Sequence, residues 1–266
     1  MSWLEALILG LIQGLTEFLP VSSSGHLELG SAFFGLQGED NLTFSIIVHG
    51  ATFLSILVVF RKDIVDLFIN LFKFQWNNET KFILLLIISA VPVALAGVFL
   101  KDHIELLFNG NILLVGFMLL VTASLLFLTK YSPQKKGEIT FKSAILIGIA
   151  QTIAIIPGIS RSGATISTAL YLGIDREKAT RFSFLMVLIP IFGASLLEVL
   201  DLAKESSASS IGVLPLIVGA IAAFTAGLLA CNAMINIVKK GKIVYFSIYC
   251  LIIGLAAISY GLFDIL

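Results

Sequence analysis

The sequence predicts an all-α polytopic membrane protein built as an inverted-topology repeat of two halves. Each half contributes one re-entrant helical hairpin and three transmembrane helices. Three observations carry this prediction. Of 266 residues, 58% are hydrophobic and 13% charged, with zero formal net charge, a ratio that a soluble domain does not carry. Six apolar runs approach the length that crosses a bilayer, while two others stop short in polar turns. The chain also superposes on itself at one fixed offset. It reads as a single integral membrane domain over 1–266, with repeat 1 at 1–130 and repeat 2 at 142–266.

Each element follows from length. A spanning helix needs about 20 apolar residues, because each rises roughly 1.5 Å across a core of about 30 Å. Phe44–Phe60, Phe82–Leu100, Ile112–Thr129, Phe182–Leu200, Ile211–Cys231 and Ile243–Phe263 qualify or nearly so. Trp3–Thr16 is cut short by Glu17 and Pro20, and Ser143–Ile156 is stopped by Pro157-Gly158. Each short run leads through a Ser/Gly-rich turn into a second one, Leu27–Leu36 and Ile166–Ile174. Such pairs enter the bilayer and turn back, and non-helical backbone at that depth requires surrounding protein or a wet cavity. The first ten residues, MSWLEALILG, lack a basic leader, so no cleaved signal peptide is expected. Cys231 and Cys250 lack metal-type spacing and read as packing residues.

A shift of 138 residues aligns Ala6 with Ala144, Gly10 with Gly148, Gln13 with Gln151, Ser22 with Ser160 and Ser24 with Ser162. It also aligns Gly25 with Gly163, Gly35 with Gly173, Phe44 with Phe182 and Ser45 with Ser183. An odd number of full spans per copy requires the second to sit upside down. Basic residues set the orientation. Loops 61–81, 130–142, 174–181 and 233–242 carry four, four, three and three Lys/Arg, against Lys101 and Lys204 on the opposite side. The basic loops are therefore cytoplasmic and both termini external. Arg161 alone falls outside this pattern, in the turn of the second hairpin.

Inverted repeats with broken helices bring the breaks together near the membrane middle. One break offers Gln13, Glu17, Ser22, Ser23, Ser24 and His26; the other offers Ser160, Arg161, Ser162 and Thr165. An ionisable group at such depth is costly and points to function. The Arg161 fork matches phosphate oxygens, hydroxyls and helix-start N–H groups add neutral donors, and Gly25 and Gly163 allow close backbone approach. Together they describe a phosphate or diphosphate pocket. Glu17, four residues after Gln13, shares its helix face. A carboxylate beside a phosphate calls for a divalent cation, and oxygen ligands suit Mg²⁺ or Ca²⁺. A serine near an imidazole supplies a nucleophile and an acid/base partner. Balanced charge argues against nucleic acid as a partner.

Blander readings stand beside these. Gln13 could hydrogen-bond Gln151 between helices, Glu17 could form a structural ion pair with Arg161, and Ser22 and Ser24 could be caps. Ser23 aligns with Arg161, where the halves differ, and is the better serine candidate. His49, early in a span, reads as a packed, hydrogen-bonded residue with the option of facing the site. His103 reads as solvated, "GIDREKATR" as a cytoplasmic turn and "KESSASSIG" as a flexible external one.

The stretches "QGLTEFLPVSSSGH" and "PGISRSGAT" resemble the two signatures of the bacterial undecaprenyl-diphosphatase family of the bacitracin-resistance type, and the resemblance extends over essentially the whole chain. It implies an integral membrane enzyme that removes one phosphate from undecaprenyl diphosphate, recycling the lipid carrier of peptidoglycan synthesis. It further implies dependence on a divalent cation, work on the periplasmic side and a possible homodimer. By motif, the family's important residues fall on Gln13, Glu17, Ser23, His26, Ser160, Arg161 and Thr165. This chain has Gln13 where other members have a first Glu, which weakens mechanisms needing two carboxylates. Ser23 assisted by His26 is the expected nucleophile, with His26 itself and water left open. The phosphatidic-acid phosphatase type 2 superfamily does not fit, since no proline here follows an arginine. A flippase that binds the lipid phosphate without cutting it is the alternative.

Overall fold

Gln13, Thr16 and Glu17 of the first helix point inward while Leu4, Leu11 and Leu15 point outward, the reverse of a soluble protein. Helix α1 (Trp3–Phe18) exposes Leu4, Leu11 and Leu15 and buries Leu9, Gly10, Gln13, Gly14 and Glu17. It starts at a capping box: Ser2 Oγ accepts from Glu5 N–H, and the Glu5 carboxylate accepts from Ser2 N–H. It runs through Glu17 and ends at Phe18, two residues before Pro20, whose missing N–H and restricted neighbour stop the helix. The computed structural model describes residues 1–36, 39–108, 110–133, 136–193 and 211–265. Among these the secondary structure is helical, apart from one isolated bridge pairing Gly137 with Ile174.

After the first break, α2 (Ser23–Phe34) returns and closes the first hairpin, with Gly35 left-handed at its end. Then follow α3 (Glu39–Val59), α4 (Arg61–Leu71), α5 (Asn78–Phe99), short α6 (Lys101–Glu105) and α7 (Ile112–Leu128). The second hairpin is α8 (Phe141–Ile153) and α9 (Arg161–Tyr171), followed by α10 (Arg176–Met186), α11 (Val213–Lys239) and α12 (Tyr245–Ile265). Among the described residues, four helical stretches are long and apolar enough to cross a membrane: 78–99, 112–131, 213–239 and 245–263. The chain is therefore a multi-pass membrane protein. A fifth span arises if α3 is counted with α4, from which it is bent by 73°.

Three expectations need correction. The 61–81 loop contains α4, whose Val65, Phe68 and Ile69 are exposed while Leu67 is buried, as suits a helix lying in the bilayer interface. The run "GIDREKATR" opens α10. Asp175 caps it by accepting from Glu177 and Lys178 N–H, and ion pairs join Arg181 to Asp63, Lys178 to Glu138 and Lys239 to Glu177. The span expected at Phe182–Leu200 is interrupted at Val187; helix resumes over 188–193, and Ala194–Leu200 lies outside the described residues. The "KESSASSIG" stretch likewise lies outside them, except Ile211 and Gly212.

Small residues set the helix spacing. Helix α1 packs along α11, where a Cβ on Gly10 would lie 2.4 Å from Gly219 O and one on Gly14 would lie 2.4 Å from Ala223 O. Helix α8 packs along α5 in the same way, with a Cβ on Gly148 falling 2.3 Å from Ser89 O. These are the close small-residue crossings of membrane helices. The Gly219–Gly227 patch thus packs within the chain, against Ala6, Phe18, Phe44 and Ser55. An aromatic cluster of Phe18, Phe60 and Phe184, with Phe82 on Phe182, fills the space between the halves beside the two breaks.

Candidate active site

The two breaks touch. Ser22 holds φ 69°, a left-handed conformation that non-glycine residues adopt at a cost. Its hydroxyl repays that strain by accepting from Gly25 N–H (3.3 Å) in its own break and from Gly158 N–H (3.1 Å) in the other. Gly158, at φ +98°, leaves no room for a side chain: a Cβ there would sit 2.5 Å from Val115 O. The seam continues where Ser162 Oγ donates to Leu19 O (3.2 Å) and Cys250 Sγ to Pro20 O (3.6 Å). Thr122 Oγ donates to Gly158 O and accepts from Ser160 N–H, both at 2.9 Å, pinning the second break to α7.

Across this seam the chain builds one charged cluster. The Arg161 guanidinium, at the first position of α9, pairs with Glu17 Oε1. Glu17 Oε2 accepts from Ser23 Oγ (2.6 Å) and Gln13 Nε2 (3.0 Å). His49 Nε2 lies 4.0 Å from the same oxygen. Glu17 is 4% exposed and Gln13 fully buried, whereas the Arg161 and His49 side chains stay partly open, at 24% and 31%. So a single buried carboxylate is neutralised by one guanidinium and ordered by a hydroxyl and an amide. Both carboxylate oxygens are engaged, as a charge at membrane depth requires. A narrow cavity lined by Glu17, Phe18, Ile56, Arg161, Ser162, Ser183, Phe184 and Val187 adjoins the pair, with room for water but not for a diphosphate.

The structure thus brings together Gln13, Glu17, Ser23 and Arg161 from the sequence-derived set. It places the other hydroxyls in the framework. Ser160 Oγ caps α9 by accepting from Gly163 N–H (3.1 Å), and Ser162 Oγ lies 3.3 Å from it. Thr165 Oγ donates to Arg161 O and meets Ser183 Oγ at 2.5 Å, fastening α9 to α10. Ser24 Oγ lies 3.4 Å from Ser22 Oγ, and a Cβ on Gly25 would fall 3.1–3.2 Å from the Gly158 backbone. Gln13 reaches Glu17 and, at 3.5 Å, Thr52.

His26 sits elsewhere than beside the carboxylate. Its Nδ1 lies 2.8 Å from Ser22 O and its Nε2 2.9 Å from Tyr249 Oη, with the two rings stacked. The imidazole at Glu17 is that of His49, which sequence reasoning held mainly as a packing residue. Its helical spacing from Thr52 on α3 was visible, but nothing local showed that this face meets Glu17. Tyr249 carried no signal either, since 223 residues separate it from His26.

The donor set fits a divalent cation in one form. Gln13 Oε1 is buried and makes no hydrogen bond, so an oxygen beside Glu17 awaits a partner. One carboxylate and one amide oxygen, completed by waters or other oxygens, is a common way for such an ion to be held.

A family model described as bacitracin resistance protein BacA matches residues 6–256. Curated relatives named undecaprenyl-diphosphatase align over nearly the whole chain. One from Bacteroides thetaiotaomicron is 56% identical over 260 residues, covering 97% of this chain and 98% of that protein. One from Christiangramia forsetii is 52% identical over 259 residues, 97% of each. One from Salinibacter ruber is 40% identical over 266 residues, 96% of this chain and 97% of that protein.

Proposed function

From the premise that this chain belongs to the bacitracin resistance protein BacA family, we propose that it is an undecaprenyl-diphosphatase whose centre is the Glu17–Arg161 cluster. It hydrolyses undecaprenyl diphosphate to undecaprenyl phosphate and inorganic phosphate, returning the lipid carrier to peptidoglycan synthesis. The observation that carries the site assignment is the Ser23 hydroxyl donating to the carboxylate that pairs with Arg161. Relatives named for the phosphatase favour hydrolysis over the flippase alternative.

The chemistry follows from those contacts. The substrate's terminal phosphate draws the Arg161 fork away from Glu17, because a phosphate presents more charge and two oxygens to a planar donor pair. The freed carboxylate takes the Ser23 proton as Oγ attacks the terminal phosphorus. The anhydride bond breaks, undecaprenyl phosphate leaves, and the phosphoryl group rests on Ser23. Water then attacks that phosphoserine, inorganic phosphate departs, and the proton returns from Glu17 to Ser23 Oγ. Arg161 stabilises the charge on the phosphoryl oxygens in both steps. Glu17 and Gln13 would hold the divalent cation, Mg²⁺ or Ca²⁺, whose chemistry is to neutralise phosphate charge. His26, tied to Ser22 O and Tyr249, holds the turn that presents Ser23.

The halves are read as inverted copies, with the site opening to the external side and both termini external, from the distribution of basic loops. A homodimer is part of the same reading through the family. The test is phosphate release from undecaprenyl diphosphate by purified, detergent-solubilised protein, with and without a chelator. Release that stops with chelator and returns with Mg²⁺ or Ca²⁺ supports the cation-assisted phosphatase. Lipid binding without release makes the flippase the better account.

A further inference from the structure

We propose that His49 supplies a nitrogen ligand to the divalent cation at Glu17, making this a mixed nitrogen–oxygen site. The inference rests on the cation reading above and extends it to a residue outside both sequence signatures. The ring orientation comes first. His49 Nδ1 lies 2.8 Å from Ser45 O, one turn earlier on α3, and 3.2 Å from Ser45 Oγ, which can accept as well as donate; the carbonyl is the nearer partner. A carbonyl oxygen only accepts, so Nδ1 carries the hydrogen and, in the neutral ring, Nε2 carries the lone pair.

That lone pair faces the Glu17 carboxylate, with Nε2 4.0 Å from Oε2. The gap is too long for a hydrogen bond, and two acceptors facing each other repel. A shared cation turns the same pair into ligands. Metal–nitrogen and metal–oxygen bonds of about 2.1 Å each span roughly 4.2 Å only in line, so a shared ion needs a small rotation of the partly open His49 side chain, which brings Nε2 to the closer spacing of neighbouring ligands. Gln13 supplies the second observation. Its Oε1 is buried and unpartnered while its Nε2 donates to this oxygen of Glu17. A half-turn of the amide removes a donor from Oε2 and gives the orphaned oxygen a cation to bind.

The support behind the ring matches what metal-bound histidines use, a backbone carbonyl on the far nitrogen. His26 has the same support from Ser22 O, but its Nε2 is taken by Tyr249 Oη at 2.9 Å. His103 is exposed on α6. Among the described residues no three His, Cys, Asp or Glu side chains converge. The set is therefore Glu17, His49 and Gln13, with the remaining positions left to substrate phosphate and water. Such a set favours Mn²⁺ or Zn²⁺ over Mg²⁺ more strongly than oxygen ligands alone.

The experiment is pulsed EPR of Mn²⁺ added to the detergent-solubilised full chain with inorganic phosphate, alongside Mn²⁺ and Mg²⁺ affinities. Wild type is expected to show ¹⁴N coupling that converts to ¹⁵N coupling on labelling with ¹⁵N-histidine. The coupling should vanish in His49→Gln and persist in His26→Gln. Mn²⁺ affinity should fall at least ~10-fold in His49→Gln, with a smaller change for Mg²⁺. If His49→Gln does not fold, coupling that persists in both His26→Gln and His103→Gln assigns it to His49 by elimination. Mn²⁺ bound in a Glu17-dependent way without nitrogen coupling overturns the His49 role and leaves the cation reading standing. Coupling lost in His26→Gln overturns the assignment, and no Mn²⁺ binding overturns both.

Discussion

Glu17 is the residue on which the molecule turns, and its four neighbours explain why a carboxylate survives inside an apolar bundle. Arg161 neutralises it, Ser23 and Gln13 hydrogen-bond it, and His49 faces it. Removing one member of a buried pair leaves a charge unpaired, at about 3–5 kcal/mol. Arg161→Ala should therefore lower detergent stability as well as slow turnover, whereas Arg161→Lys should restore much of the stability but little of the activity, because it lacks the planar fork. Thermal unfolding and phosphate release together separate the two effects. Glu17→Gln keeps shape and loses the base, and should cost more activity than His26→Gln, which removes a turn support. Equal losses would return His26 to the centre of the chemistry. Gln13, Glu17, Ser23 and Arg161 were legible in the sequence because polar groups in a broken membrane helix have few bland explanations. His49, Thr52 and Tyr249 were not, because only helix packing brings them near the breaks.

At the scale of elements, both breaks work because each is closed by the other. Ser22 spans them with one hydroxyl, and Gly158 and Gly25 let the backbones meet. The glycines of α1 do the same for helix packing. Gly14→Val would push a branched side chain against Ala223 O and Ala226 and should abolish or sharply lower thermal stability in detergent. Gly97→Ala, on α5, meets nothing within 4 Å and should be neutral or slightly stabilising, by up to about 1 kcal/mol. Comparable losses for the two would mean that the α1–α11 crossing is not as close as described. Both hairpins were readable because proline and glycine end a helix by local rules. Helix α4 was hidden because its charges, Arg61, Lys62, Asp63 and Asp66, made the segment look like a loop when only apolar length was counted. The interruption at Val187 was passed over for the opposite reason: Phe182–Leu200 counts as apolar in length, but Pro190 within it has no N–H to donate to Met186 O, which breaks the helical ladder at that turn.

For the whole molecule, the charge pattern and the site make linked demands. In the orientation proposed from the basic loops, the first hairpin enters from the external side. A membrane-impermeant maleimide added to spheroplasts should label a His103→Cys variant and spare a Trp76→Cys variant. Both positions are exposed, and the native Cys231 and Cys250 are buried. The reverse pattern would place the site opening on the cytoplasmic side. If the diphosphate is bound and cut at the Glu17–Arg161 pair, both partners and Ser23 are needed for turnover. This requirement is tested most directly by phosphate release from undecaprenyl diphosphate by wild type, Glu17→Gln, Ser23→Ala and Arg161→Ala, each checked for folding by its elution as a single detergent-bound species. The folded variants should lose at least ~10²–10³-fold in rate, the usual cost of removing a group that stabilises transition-state charge. A folded Arg161→Ala protein that retains activity within tenfold of wild type would contradict the requirement.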